Sequence, residues 1–229
     1  MGNTTTTVLA DSRDMIGAHV NFRREFAALP AAIRRVVAGD TAQAATVGAH
    51  AEFLVDLLHH HHHGEDAGVW PRLRERCPGQ VQELVEIMEE QHAGLDQALE
   101  NIKARTQRWV VTANVDDGRA LAKVCEDLLG PLTEHLDLEE AEVLPLIDRY
   151  LTDAEWKGIV RGEAATIPKA QLPLVFGMML YDADDVTQSM MKTNVPALIW
   201  PFFSRIARRR YAKHAQAIHG TPTPPHFSR

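Results

Sequence analysis

Apolar residues recur at helical spacing in four long segments of the chain. The first spans about Arg13 to Val37, with Met15, Phe22 and Phe26 on one face, and Pro30 inside it predicts a kink or a split. Ala38-Gly39-Asp40 interrupts the pattern, leaving Asp40 or Thr41 to cap the second segment. That segment starts at about Thr41 and puts Val47, Leu54 and Leu58 on one stripe. Pro78-Gly79 marks the next boundary. The third segment, about Gln80 to Gln107, shows a heptad-like seam of Val81, Val85, Met88, Leu95, Leu99 and Ile102. The fourth, about Asp116 to Tyr150, carries Leu121, Cys125, Leu128, Leu132, Val143 and Leu146, and its Gly130-Pro131 predicts a kink. Four such segments joined by short connections predict an all-α fold, an antiparallel up-down four-helix bundle over residues 13–150.

Each apolar stripe is interrupted by a histidine: His19, His61, His92 and His135. In the second and fourth segments a glutamate follows four residues later, Glu65 and Glu139, and so shares the histidine's face. His19 and His92 are 73 residues apart, whereas His61 and His135, like Glu65 and Glu139, are 74 apart. The match extends outward, pairing Glu65-Asp66 with Glu139-Glu140 and Pro71 with Pro145. The bundle therefore reads as two copies of one helical hairpin, each supplying two histidines and a carboxylate.

Polar side chains on a core stripe are costly unless hydrogen-bonded or ligated. One buried histidine is ordinarily a satisfied core residue, but six groups converging from four helices point to a metal site in the bundle core. Imidazole and carboxylate without thiolate suit iron, manganese or zinc, and two equivalent halves suggest two metals. In the run His59 to His63, successive residues turn by about 100°, so only some of the five can face the core. His59, His60 and His63 are read as facing elsewhere. Glu140 and Asp66 could each substitute for the glutamate that precedes it, but Glu65 and Glu139 rank higher because they keep the i, i+4 relation to the histidine.

These residues resemble the hemerythrin family, in particular its prokaryotic HHE-type cation-binding branch, over about residues 13–150. The resemblance rests on His19, on HHHHGEDAGVWP in the second segment, on His92 and on HLDLEEAEVLP in the fourth. It implies two non-heme iron ions bridged by an oxo or hydroxo group, with Glu65 and Glu139 as bridging carboxylates and His19, His61, His92 and His135 as terminal ligands. Oxygen carriers of the family use five histidines, and the place of the fifth is taken here by Met88. The residue after the second-segment histidine ligates in some members, which makes His62 the candidate replacement. Two octahedral metals offer about twelve positions, of which these groups fill roughly ten. The expected ligand is therefore a small oxidant (oxygen, hydrogen peroxide or nitric oxide), with peroxide breakdown or sensing favoured over oxygen carriage. A catalase-like activity is left open. The alternatives are a metal-dependent redox sensor acting through its C-terminal helices, and iron storage or delivery.

Composition changes the picture in three places. The 229 residues carry 24 basic and 31 acidic groups, but residues after Val195 include six basic and no acidic ones, leaving −13 on residues 1–194. The basic helix is expected to dock on its own acidic body, ahead of nucleic acid or a membrane surface as partner. Two cysteines, Cys77 and Cys125, make no disulfide scaffold, and no segment is long and apolar enough to span a bilayer, so a cytoplasmic protein is expected. Met1 to Thr6 fits a loose myristoylation pattern. Residues 151–229 read as a helical extension that covers the bundle or forms a homo-oligomer interface. It is expected to open at Thr152, capped with Glu155 at the third helical position, and to close in a loose tail, GTPTPPHFSR. Met178, Met179, Met190 and Met191 are read as packing, and Tyr181 or Tyr211 as the tyrosine that would approach the metal site.

Overall fold

A computed structural model describes residues 8–193 and 195–227. The myristoylation pattern lies outside them. The fold is all-helical: α1 (Arg13–Arg34), α2 (Thr41–Gly68), α3 (Trp70–Arg76), α4 (Pro78–Thr112) and α5 (Val115–Leu138) lead into a π-helical turn (Glu139–Val143). Then come α6 (Leu144–Tyr150), α7 (Asp153–Thr166), α8 (Leu172–Asp182), α9 (Asp185–Thr193) and α10 (Trp200–His219).

The long helices pack in a closed ring, α1 on α2, α2 on α4, α4 on α5 and α5 on α1. Their apolar stripes fill the interior, where Phe26, Leu54, Leu58, Leu99 and Leu121 have no exposed surface. The Asp40 side chain caps α2 by accepting from the Gln43 amide. The expected split at Pro30 does not occur, and α1 runs on to Arg34.

The fourth segment carries an interruption that the sequence pattern did not mark. Helix α5 passes through Pro131 without a break, and the backbone widens at Glu139–Val143 instead. Pro145 is the physical reason: it has no N–H to return to the carbonyl four residues back. The extra residue of the π turn shifts the register, so Ile147 is buried and Leu146 only half-buried, against the expected stripe. Pro71 plays the matching part in the first half. It sits in the first turn of α3, as Pro145 does in α6, and each of these two helices has seven residues.

The C-terminal helices lie on the ring. Helix α7 opens with the expected capping box, Thr152 and Glu155 each bonding the other's backbone. It packs on α2, where Gly64 and Gly68 form a flat strip: a Cβ on either would overlap the Glu163 carboxylate or Ile159 of α7. Helices α8 and α9 pack on α1, and α10 lies across α8, α1 and α2. Basic α10 does contact the body, through Ala207, Tyr211, Ala215 and Ile218, while Phe202 and Ile206 stay exposed. The terminal segment is not loose as far as Phe227. The Tyr181 hydroxyl donates to the Pro224 carbonyl at 2.5 Å, and the His226 ring stacks on Tyr181. No helix among the described residues is long and apolar enough to cross a membrane.

Candidate metal centre

Four helices deliver seven buried side chains to one region of the core. His19 comes from α1, His61, His62 and Glu65 from α2, His92 from α4, His135 from α5, and Glu139 from the start of the π turn. Their donor atoms fall into two groups. His19, His61, Glu65 and Glu139 lie close enough to hold one ion, and His62, His92 and His135 to hold another.

The two glutamates join the groups. Glu65 Oε1 is 3.1 Å from His61 Nε2 while its Oε2 is 3.4 Å from His92 Nε2. Glu139 Oε2 lies 3.3 Å from His19 Nε2 and 3.9 Å from His135 Nε2. Each carboxylate therefore faces one histidine of either group, as a bridging carboxylate must. Both glutamates have no exposed surface.

A second set of hydrogen bonds fixes which ring nitrogens face inward. His92 Nδ1 is 2.8 Å from Asp66 Oδ1, and His19 Nδ1 is 3.0 Å from Glu140 Oε1. A carboxylate can only accept, so Nδ1 carries the proton and Nε2 turns its lone pair to the core. His135 Nδ1 donates in the same way to the Gln91 amide oxygen at 3.2 Å. Asp66 also accepts from Trp70 Nε1 at 2.7 Å, and Glu140 from Arg23 Nη1 at 2.7 Å. Asp66 and Glu140 thus are not substitutes for Glu65 and Glu139. They orient a histidine of the neighbouring helix, a role the sequence repeat already marked without revealing.

His19 Nε2 and His61 Nε2 lie 3.2 Å apart, within hydrogen-bond distance, but most of the other core donors lack a hydrogen-bond partner among the described residues. The buried polar atoms with no hydrogen-bond partner among the described residues include both oxygens of Glu65 and of Glu139, both nitrogens of His62, and Nε2 of His92 and of His135. Such atoms are costly in a dry core. Burial, then the neighbouring Glu139 carboxylate, push Glu65 well above the usual carboxylate range. Burial also opposes charge on Glu139, but His19, His61 and His135 hold it well below that range. Burial drives His61 and His62 far down, His19 and His92 respectively adding to it, and takes His135 to about 4. His61, His62 and His135 are thus held as neutral imidazoles, the state a metal takes up. At His19 burial is outweighed by the Glu139 and Glu140 carboxylates, which raise it, so that a metal would displace a proton there and at Glu65. The donor set, nitrogen and oxygen without sulfur, suits iron.

His62 is brought to the second group, its ring stacked on His92 at 4.1 Å between centroids and edge-on to His135 at 5.1 Å. Met88 is fully buried in the apolar layer beside the site. His60 and His63 are exposed and His59 half-buried, as the helical rotation requires. Neither tyrosine takes the expected place: Tyr181 bonds Pro224, and Tyr211 bonds Glu25.

A cavity of about 460 Å³ reaches this region between α1, α2 and the C-terminal helices. His61 and Phe22 line it from the bundle, and Trp156, Glu163, Val175 and Met179 from α7 and α8. Glu163 is the residue that the sequence did not flag. Burial, then the Glu139 and Asp14 carboxylates, push it up to about 8.

A hemerythrin HHE cation-binding domain matches residues 11–147, more than half of the chain. The chain belongs to that family of metal-binding proteins. No curated protein and no solved structure matches it at a significant level.

Proposed function

We propose that this chain is a non-heme di-iron protein that binds or reacts with a small oxidant (oxygen, hydrogen peroxide or nitric oxide), with peroxide breakdown or sensing favoured over oxygen carriage. One observation carries the reading: two groups of histidines share two buried carboxylates at the inner end of a cavity. On this reading the helical ring is an antiparallel up-down bundle of hemerythrin type, with residues 151–229 as an added helical extension. His19 and His61 would hold one iron and His62, His92 and His135 the other, with Glu65 and Glu139 between the two groups. Bound iron would supply the electrons that reduce a small oxidant. The chain's own residues prepare the reaction. Asp66 and Glu140 keep Nε2 of His92 and His19 aimed inward, and the largely apolar cavity wall admits small uncharged molecules while excluding ions. Glu163 holds a proton on its carboxyl at neutral pH at the cavity wall, available to a reduced oxygen atom. Two buried, unpaired thiols fit a reducing, cytoplasmic setting.

Elemental analysis with an ultraviolet–visible spectrum tests this. Two irons per chain, with absorption that responds to peroxide, are expected. Steady consumption of peroxide means breakdown, a reversible spectral change without consumption means sensing, and many irons per chain mean storage. A single zinc, or no tightly held metal, overturns the di-iron reading.

A further inference from the structure

A second cluster of buried metal-ligating side chains lies apart from the bundle site, where α1, α2 and α10 meet. Along α1, Glu25 is six residues beyond His19, about 9 Å, and along α2 His50 is eleven residues before His61, about 16 Å. Phe22, Phe26, Leu54 and Leu58 belong to the core between them.

Glu25, His50 and His219 converge there, one from each helix, with their donor atoms grouped tightly enough to hold an ion. Glu25 Oε2 is 3.2 Å from His50 Nε2 and 3.4 Å from His219 Nε2. These are long for charged hydrogen bonds, which close to about 2.7–2.9 Å. They match the edge of a coordination tetrahedron: bonds of about 2.0–2.1 Å put ligand atoms about 3.3–3.4 Å apart. His50 is 1% exposed, and its Nε2 has no hydrogen-bond partner among the described residues.

The surroundings fit the same assignment. Glu25 Oε1 is saturated: it accepts from Arg24 Nε at 2.9 Å and from the Tyr211 hydroxyl at 2.7 Å, which leaves Oε2 to face the histidines. Arg24 does not neutralise the cluster, because its Nη1 is shared with Asp182 at 2.5 Å; the three charges sum to −1. His214 Nε2 lies 3.0 Å from His50 Nδ1. With His50 Nδ1–H as the donor to His214 Nε2, the His50 Nε2 lone pair turns inward, toward Glu25 and His219. Aligning a ligating histidine in this way is the task Asp66 and Glu140 perform in the bundle.

We propose that Glu25, His50 and His219 form a mononuclear site for a zinc-class divalent cation, separate from the bundle centre, which staples α10 to α1 and α2. Two histidines and one carboxylate leave the fourth tetrahedral position for water. The ion ties the end of the C-terminal extension to the helices that carry His19 and His61, and so holds α8 over the cavity through its packing on α10.

The test is a cobalt(II) titration of the metal-stripped full chain, read in the visible region, where tetrahedral cobalt absorbs far more strongly than octahedral. Wild type is expected to take up one equivalent more than His219→Gln, with tetrahedral absorption, whatever number the bundle site holds. That difference separates this proposal from the di-iron reading, since failure of the bundle site leaves it intact. His214→Ala removes no ligand and is expected to weaken the extra equivalent about 10–100-fold without abolishing it. Equal stoichiometry in wild type and His219→Gln, at unchanged helical circular dichroism, overturns the proposal. Should His219→Gln misfold, anomalous diffraction from zinc-soaked wild type decides: a peak about 2.0–2.1 Å from both His50 Nε2 and His219 Nε2 supports the site, and its absence rejects it.

Discussion

The two halves of the helical ring carry the same pattern and complete it by different means. In both, a long helix bears histidine and glutamate four apart, and the acidic residue after that glutamate reaches across to a histidine of the other half. Asp66 holds His92, and Glu140 holds His19. The first half steadies its clamp with a neutral donor, Trp70, and the second with a cation, the buried Arg23. The first half adds His62; the second instead widens its backbone into a π turn at Glu139. The repeated pattern thus brings together unequal groups of two and three histidines, and on the di-iron reading the open position is on the side that has two. That side, at His61, is the one the cavity reaches.

The sharpest way to break this comparison is to remove one carboxylate. Because Glu65 and Glu139 each face both histidine groups, Glu65→Ala or Glu139→Ala is expected to lose both metals, measured by elemental analysis after gel filtration. Retention of one metal in either variant would show that the halves bind independently.

Acid comes next. Burial holds His61, His62 and His135 below their ordinary 6.5, His135 at about 4. Groups with depressed folded values contribute stability that is present above the unfolded value and lost as pH falls. Between pH 6.5 and 4 the unfolded chain binds protons at His61, His62 and His135 that the folded chain does not, whereas Glu65 and Glu163 hold protons only in the folded chain and oppose this. The His135 share, a loss of about 3 kcal/mol as pH falls, is therefore read as the difference between metal-stripped wild type and a His135 variant. Urea midpoints at pH 7 and pH 5 measure it, and His135→Gln is expected to flatten the slope.

His62→Ala sharpens the asymmetry itself. It is expected to cost up to about 100-fold in affinity for one metal while sparing the other, by competition with a chelator. Equal loss of both would place His62 outside the second group. Below that stand the clamps: Asp66→Asn and Glu140→Gln are each expected to weaken binding about 10–100-fold. A larger effect at Glu140 would trace to Arg23, left buried without one of its carboxylates.

The smallest effect is expected at the α2–α7 contact. A Cβ at Gly64 would overlap the Glu163 carboxylate and lie 2.5 Å from its Cγ, so Gly64→Ala must move the whole side chain and stability should fall by about 1–2 kcal/mol. Peroxide turnover, if Glu163 supplies the proton, should slow more than stability falls.

Much of this was legible beforehand because helical period and repeat offset are properties of the chain. His19, His61, His92 and His135 each interrupt an apolar stripe, and the 73- and 74-residue offsets paired them before any contact was known. The register beyond Glu139 was not legible, since a π turn changes the period that the reading assumes. Nor was the cluster of Glu25, His50 and His219, whose members are 25 and 169 residues apart and share no repeat.

The sequence by itself determined the helices, the duplicated hairpin and the histidine–glutamate pairs, because side chains three and four apart on a helix face the same way regardless of what packs against them. Only the tertiary structure decided which nitrogen His19, His92 and His135 turn inward, that Asp66 and Glu140 hydrogen-bond His92 and His19, and that α7 and α8 wall the cavity. Those outcomes depend on which faces of distant helices meet, and a one-dimensional pattern does not carry that information.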